Sequence, residues 1–84
     1  MPMDRKEVED KVKTVLSKEL GIDKEKILLE KKMFEDLGMD SFSSVEMIFE
    51  LEDMLGVSIP DRDAIKFVTV NDVVDYAVSL LAAK

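Results

Sequence analysis

The residues best placed for chemistry in this chain are Gly38-Met39-Asp40-Ser41-Phe42. Gly38 permits a tight turn. Asp40 and Ser41 are both residue types that begin helices, and Ser43 with Glu46 three positions on forms a further candidate capping box. From Val45 the pattern is helical as far as Leu55, with Gly56 as a natural stop. A serine hydroxyl is therefore expected on an exposed turn at the N-terminus of a helix. Such a terminus has unpaired N–H groups and a partial positive charge, which suit a phosphate. Serine also favours this position simply as a cap, so placement alone does not make it reactive.

Catalysis by the chain itself is poorly provided for. The 84 residues contain no cysteine and no histidine, which removes Cys–His and Ser–His pairs, thiolate metal sites and the commonest zinc ligand. A lone serine without a base is a weak nucleophile. The carboxylates fall on exposed helical turns, where nothing drives their pKa values apart, and no run matches the spacing of a calcium-binding loop. No catalytic residue and no metal site is expected.

The elements that must position Ser41 read as helices throughout. Asp4 with Glu7 marks the start of the first, and Val8, Val12, Val15, Leu16 and Leu20 lie on one stripe before Gly21. A long connection over 22–40 follows, with Asp23 placed to cap a short turn through Lys26. Ile22, Ile27, Leu28, Phe34 and Leu37 are its expected anchors. After the second helix, Ile59 anchors the connector, and Asp61 is expected to cap a short third helix over about 62–67. Ala64, Ile65, Phe67 and Val68 would form its apolar side. Thr69 to Asp72 is another capping box, with Val68 and Val73 placed as a hydrophobic staple. The last helix carries Val70, Val73, Val74, Ala77, Val78 and Leu81 on one stripe. With no strand alternation, repeat or linker, the expected fold is all-α: a single domain over 1–84, a four-helix bundle of three longer helices and one short third helix, with a long loop between helices one and two.

Helix two has too many apolar residues for one stripe. Turning about 100° per residue from Phe42, Met47, Ile48, Leu51, Met54 and Leu55 fall on a core face, while Phe42, Val45 and Phe49 fall on the opposite side. That outer side also carries Glu46, Glu50, Glu52 and Asp53. Phe49, in mid-helix, is expected to stay exposed, whereas Phe42, in the first turn, has the alternative of folding back beside Leu37.

Charge singles out the same region. The formal net charge is −7, yet residues 1–32 carry nine basic and eight acidic residues, and residues 62–84 three of each. Residues 33–61 contain eight acids and no Lys or Arg, so the whole imbalance surrounds Ser41 and its helix. Such a surface argues against nucleic acid and for basic protein partners. No apolar run approaches the length of a membrane span, and the first residues have neither a signal-peptide core nor transit character. A soluble, cytoplasmic monomer is expected.

Asp40-Ser41-Phe42, with Leu37-Gly38 before it and Val45-Glu46 after it, resembles the Asp-Ser-Leu motif of acyl carrier proteins. The likeness continues through Ile59-Pro60-Asp61 and Thr69-Val70 to Asp75-Tyr76 and covers nearly the whole chain. It implies a stand-alone carrier, not an enzyme, in which Ser41 bears 4′-phosphopantetheine derived from CoA. The thiol of that arm would hold acyl groups as thioesters for fatty acid, polyketide or lipid synthesis. Implied partners are a phosphopantetheinyl transferase and acyl-transferring and synthase enzymes with basic patches. Asp40, Phe42, Val45, Glu46, Phe49, Glu50 and Asp53 would form the surface they grip, with Phe49 as apolar anchor. Met33, Met47, Leu51, Ala64 and Phe67 would line an acyl pocket. The sequence departs from the family at Phe42, where Leu is usual, at Ser43 and Ser58, where acids are common, at Arg62, within an acidic patch, and at Phe67, bulkier than the usual aliphatic residue. A D-alanyl or peptidyl carrier is the related alternative, although the Gly-Gly-x-Ser motif of peptidyl carriers is absent. An acidic helical adaptor that carries no cargo is the alternative from another class.

Overall fold

The computed structural model describes residues 4–83. Four α-helices follow one another: α1 (Arg5–Leu20), α2 (Ser41–Leu55), α3 (Asp61–Ala64) and α4 (Val70–Ala82), with one 3₁₀ turn (Lys24–Lys26) in the long α1–α2 connection. Among the described residues the only β pairing is one isolated bridge, Lys32 with Thr69.

The helix ends follow local side-chain chemistry. The Asp4 carboxylate accepts from the Glu7 N–H at 2.8 Å, so α1 begins at the next residue. Thr69 and Asp72 form a reciprocal box at the start of α4. Gly21 and Gly56 close α1 and α2 in the left-handed region, at φ +67° and +65°, where a Cβ would be strained. The expected stripes form the core: Val8, Val12, Val15 and Leu16 from α1, Met47, Leu51 and Leu55 from α2, and Val70, Val73, Val74 and Ala77 from α4. α1 packs against both α2 and α4. Among the described residues no polar or charged side chain is buried, so the interior holds together by apolar burial, about 1.5–3 kcal/mol for each large side chain.

The α1–α2 connection is clasped to the α3–α4 connection. Met33 N–H donates to the Val68 carbonyl at 2.9 Å, Val70 N–H to Lys31 at 3.0 Å and Asn71 N–H to Leu29 at 2.9 Å. The Met33 carbonyl in turn accepts from Met39 N–H at 3.0 Å. These bonds correct two expected anchors. At Ile27, φ −91° and ψ 85° lie outside the helical region, and Ile27 is buried while Leu28 is exposed. Likewise Met33, Leu37 and Met39 are buried, while Phe34 is half exposed. Asp23 precedes the 3₁₀ turn but makes no side-chain cap.

The third helix is shorter than expected. Pro60 is its N-cap residue, with no side-chain cap bond, and Asp61 is already helical rather than capping. Beyond Ala64 the chain tightens through bonds from Lys66 N–H to Asp63 and Phe67 N–H to Ala64, both at 3.1 Å. These i to i−3 bonds end the α-helix but hold one further turn to Phe67. Ala64 and Phe67, three apart, face inward, whereas Ile65 is 81% exposed and Val68 is half exposed. Ile65 therefore does not belong to the apolar side of this element.

Candidate functional site

The turn before α2 determines what surrounds Ser41. Gly38 sits at φ +76°, a conformation other residues rarely adopt. Met39 is then drawn into the core, and Asp40 is the last non-helical residue, at φ −122° and ψ −178°. Its carboxylate accepts from the Ser43 N–H at 2.8 Å and from the Ser43 hydroxyl at 2.9 Å, while Asp40 N–H donates to Ser43 Oγ at 3.0 Å. Asp40 and Ser43 thus make the capping box, and the Ser43–Glu46 pair does not form one. The Ser43 backbone N–H, followed by its hydroxyl, holds the Asp40 carboxyl below the ordinary Asp value of 3.8. A charge so engaged turns back onto its own helix.

Ser41 is the first residue of α2 and is exposed. Its hydroxyl makes no hydrogen bond with another described residue, whereas Ser17 Oγ is committed to the Ile22 carbonyl at 2.6 Å and Ser43 Oγ to Asp40. The box secures the helix terminus without using Ser41. This leaves a solvent-facing hydroxyl at the positive end of a 15-residue helix, an arrangement that fits attachment of a phosphate-bearing group.

One turn further along, the outer face of α2 is apolar. Phe42 is 74% exposed, Val45 51% and Phe49 62%. Phe42 therefore does not fold back over the loop. The acids nearby differ in their commitments. Lys18 Nζ reaches Glu50 at 2.6 Å, and that hydrogen bond raises the lysine's pKa. Glu52 accepts the Ile59 N–H at 2.7 Å and so fastens the connector after α2. The Glu46 and Asp53 side chains form no ion pair or hydrogen bond with another described residue, although the Glu46 charge adds, after Glu50 and Glu19, to the raised pKa of Lys18.

Behind this face lies a cavity of about 530 Å³ between α2 and α3. Of the residues that the family resemblance implies for an acyl pocket, Met33, Met47, Ala64 and Phe67 line this cavity and Leu51 does not; that side chain is fully buried in the core. Met39, Ser44 and Ile48 line it too, with Phe34, Val45, Phe49, Asp61 and Ile65 as its exposed residues. Val45, four positions after Ser41, brings the mouth about one helical turn from the free hydroxyl, about 6 Å along the axis. The additional lining was partly foreshadowed by the excess of apolar residues on α2.

Comparisons with known proteins agree with this geometry. A family model described as the phosphopantetheine attachment site matches residues 10–77. An acyl carrier protein from Thermosynechococcus vestitus is 43% identical over 81 residues, 96% of this chain and all of its relative. The chain belongs to the acyl carrier protein family. A solved structure of the acyl carrier protein from Enterococcus faecalis superposes with a TM-score of 0.78 at 40% identity, covering 93% of this chain and 99% of that one. Its cofactor is 4′-phosphopantetheine, and its work is to carry acyl groups. The reading as an adaptor without cargo is thereby set aside. Among the described residues no helix is long and apolar enough to cross a membrane.

Proposed function

We propose that Ser41 is the residue that takes the phosphopantetheine, and that the chain serves other enzymes' chemistry while catalysing none itself. The observation that carries this assignment is the free, exposed hydroxyl at the start of α2, beside a capping box complete without it. In forming the bond the hydroxyl oxygen attacks the CoA phosphate attached to the pantetheine arm, with 3′,5′-ADP leaving and the serine proton passing to the transferase. The chain has no His, the commonest general base, and the Asp40 carboxylate beside Ser41 is engaged by Ser43, so the base is assigned to that enzyme. Once attached, the arm supplies a thiol that holds acyl groups as thioesters. The protein's part is then to present the arm, to shelter apolar cargo and to offer a surface to partners.

Sheltering falls to the α2–α3 cavity, whose mouth opens one turn from Ser41 and whose methionines, Met33, Met39 and Met47, adapt to varied contents. Presentation falls to Asp40, Phe42, Val45, Glu46, Phe49, Glu50 and Asp53, an apolar stripe with acidic flanks that suits basic partners such as a transferase or an acyl-transferring or synthase enzyme. The location proposed for this chain is the cytoplasm. Incubation with CoA and a phosphopantetheinyl transferase tests the assignment. The native chain should gain one arm by intact mass, and Ser41→Ala should fold normally and gain none. Modification of that variant at another serine would refute it.

A further inference from the structure

The outer face of α2 has two unlike borders. On one side Val45 and Phe49 line the cavity towards α3; on the other Glu50 meets α1. Glu46 and Asp53 are each three or four positions from both Phe49 and Glu50, and so lie between these borders. The α1 border carries a cation, Lys18. It stands in the last turn of α1, whose negative end favours a positive charge, and α1 packs directly on α2. Lys18 Nζ donates to Glu50 at 2.6 Å. Among the described residues no other Lys or Arg pairs with an acid of α2.

The two partners are unequally covered: the Lys18 side chain is 66% exposed and that of Glu50 only 29%. The lysine is therefore outermost, and its charge is what an approaching molecule meets first at this edge. A basic side chain arriving at Glu50 has to displace Lys18 and is repelled by it at close range, whereas at Glu46 or Asp53 it displaces nothing. We infer that Lys18 is a specificity-determining residue of the partner surface. It withholds Glu50 from basic partners and turns them from the α1 edge of α2 towards Glu46, Asp53 and the apolar stripe at the cavity mouth. This rests on the reading of that outer face as the docking surface. Glu50 is then a latent contact, available only to a partner that can outcompete a lysine already in place.

The test titrates the full apo chain with a phosphopantetheinyl transferase, without CoA so that no transfer occurs. Affinity is compared at about 0.01 M and 1 M salt, where the screening length is about 30 Å and 3 Å. At low salt Lys18→Gln should bind about two- to fivefold more tightly than the native chain, the range that an exposed ion pair supports. Lys6→Gln makes the same change in net charge on an exposed residue about 18 Å back along α1, and should gain less. Lys18→Arg keeps the charge and should match the native chain. Glu50→Gln should weaken binding more in the Lys18→Gln background than in the native one, because only there is Glu50 free to be gripped. In 1 M salt the gain of Lys18→Gln should disappear. The inference is overturned if Lys18→Gln gains no more than Lys6→Gln, or if Glu50→Gln has the same effect in both backgrounds. In either case the docking surface stands as long as Glu46→Gln and Asp53→Gln still weaken binding. If those two variants bind as the native chain does, the surface reading fails and the role of Lys18 with it.

Discussion

Phe49→Ala separates surface from core most sharply on this molecule. The side chain is 62% exposed, so less than two fifths of its surface is out of water. Full burial of a Phe is worth about 1.5–3 kcal/mol, which scales to about 0.6–1.2 kcal/mol here. Alanine regains about 0.5 kcal/mol in mid-helix through its higher propensity. The net cost to the apo fold should then be about 0.5 kcal/mol, or roughly 2–4 °C in thermal midpoint for a domain of this size. Met47→Ala, two positions away on the same helix but 1% exposed, makes the contrast. Truncating a core Met costs about 2–5 kcal/mol, and its midpoint should fall by about 10 °C or more. Partner binding should order the two variants differently. If Phe49 is an anchor covered by the transferase or by an acyl-transferring enzyme, its loss should weaken apo-protein binding by at least about 1 kcal/mol, roughly fivefold. Calorimetry of unfolding and titration of one partner on both variants check this. A Phe49→Ala midpoint as low as that of Met47→Ala would show that the ring supports the cavity wall rather than a docking surface. An unchanged affinity would remove the anchor.

Charge reversal should distinguish the acids: Glu46→Lys and Asp53→Lys should slow association with a basic partner more than Glu50→Lys, since Glu50 is already paired with Lys18. The difference should shrink between about 0.1 M and 1 M salt as the screening length falls from about 10 Å to 3 Å; stopped-flow rates that ignore both charge and salt would contradict it. The chain has a single tyrosine and no tryptophan, so an ultraviolet titration reports Tyr76 alone. The hydrogen bond to Asp63, then burial, raises Tyr76 to about 12 from an ordinary 10.0. Its contribution to stability is complete below 10.0 and is lost as pH rises towards 12, and Asp63→Asn should bring the midpoint down. At the acid end, hydrogen bonds from the Ser43 N–H to Asp40 and from the Thr69 N–H to Asp72 lower both carboxyls below 3.8. The stability that the native chain holds over the Asp40→Asn, Asp72→Asn double variant should be complete well above 3.8 and vanish as pH falls through the lowered values. Urea unfolding at stepped pH would refute this if the gap widened in acid.

What could be read from the sequence divides along a physical line. The ends of α1, α2 and α4 depend on neighbours in the chain, so Asp4, Thr69, Gly21 and Gly56 declare them locally. The same holds for Ser41 and for the two faces of α2, where a 3.6-residue period alone separates Met47 and Leu51 from Val45 and Phe49. Properties that depend on distant partners were less legible. Nothing near Met33 in sequence shows that its N–H will bond to Val68, yet that pairing decides that Met33 faces in and Phe34 out. Nothing near Glu50 shows that Lys18, thirty-two residues earlier, will claim it. A helix of four residues is too short for a period, so Ile65 could not be told from Ala64. Leu51 illustrates another limit: an angle on a helix shows which way a side chain points, not whether neighbours leave a void there.

The acidic window is not one uniform surface. Although residues 33–61 hold eight acids and no base, the fold uses several of them. Asp40 caps α2, Glu52 ties down Ile59, and Asp36 accepts the Lys32 N–H at 2.9 Å. Lys18 and Lys32 reach in from outside the window to Glu50 and Glu35. Glu46 and Asp53 are what remains on α2, three positions before and four after Phe49, close to its helical face. A basic partner meeting these two displaces no internal bond, whereas engaging Glu50 means competing with Lys18 at 2.6 Å. The proposed docking surface thus narrows to Phe49 between two unspent charges, with Val45 leading back towards Ser41. An enzyme gripping there would stand over the cavity mouth and beside the attachment point at once, the geometry required to pass cargo between the chamber and an active site.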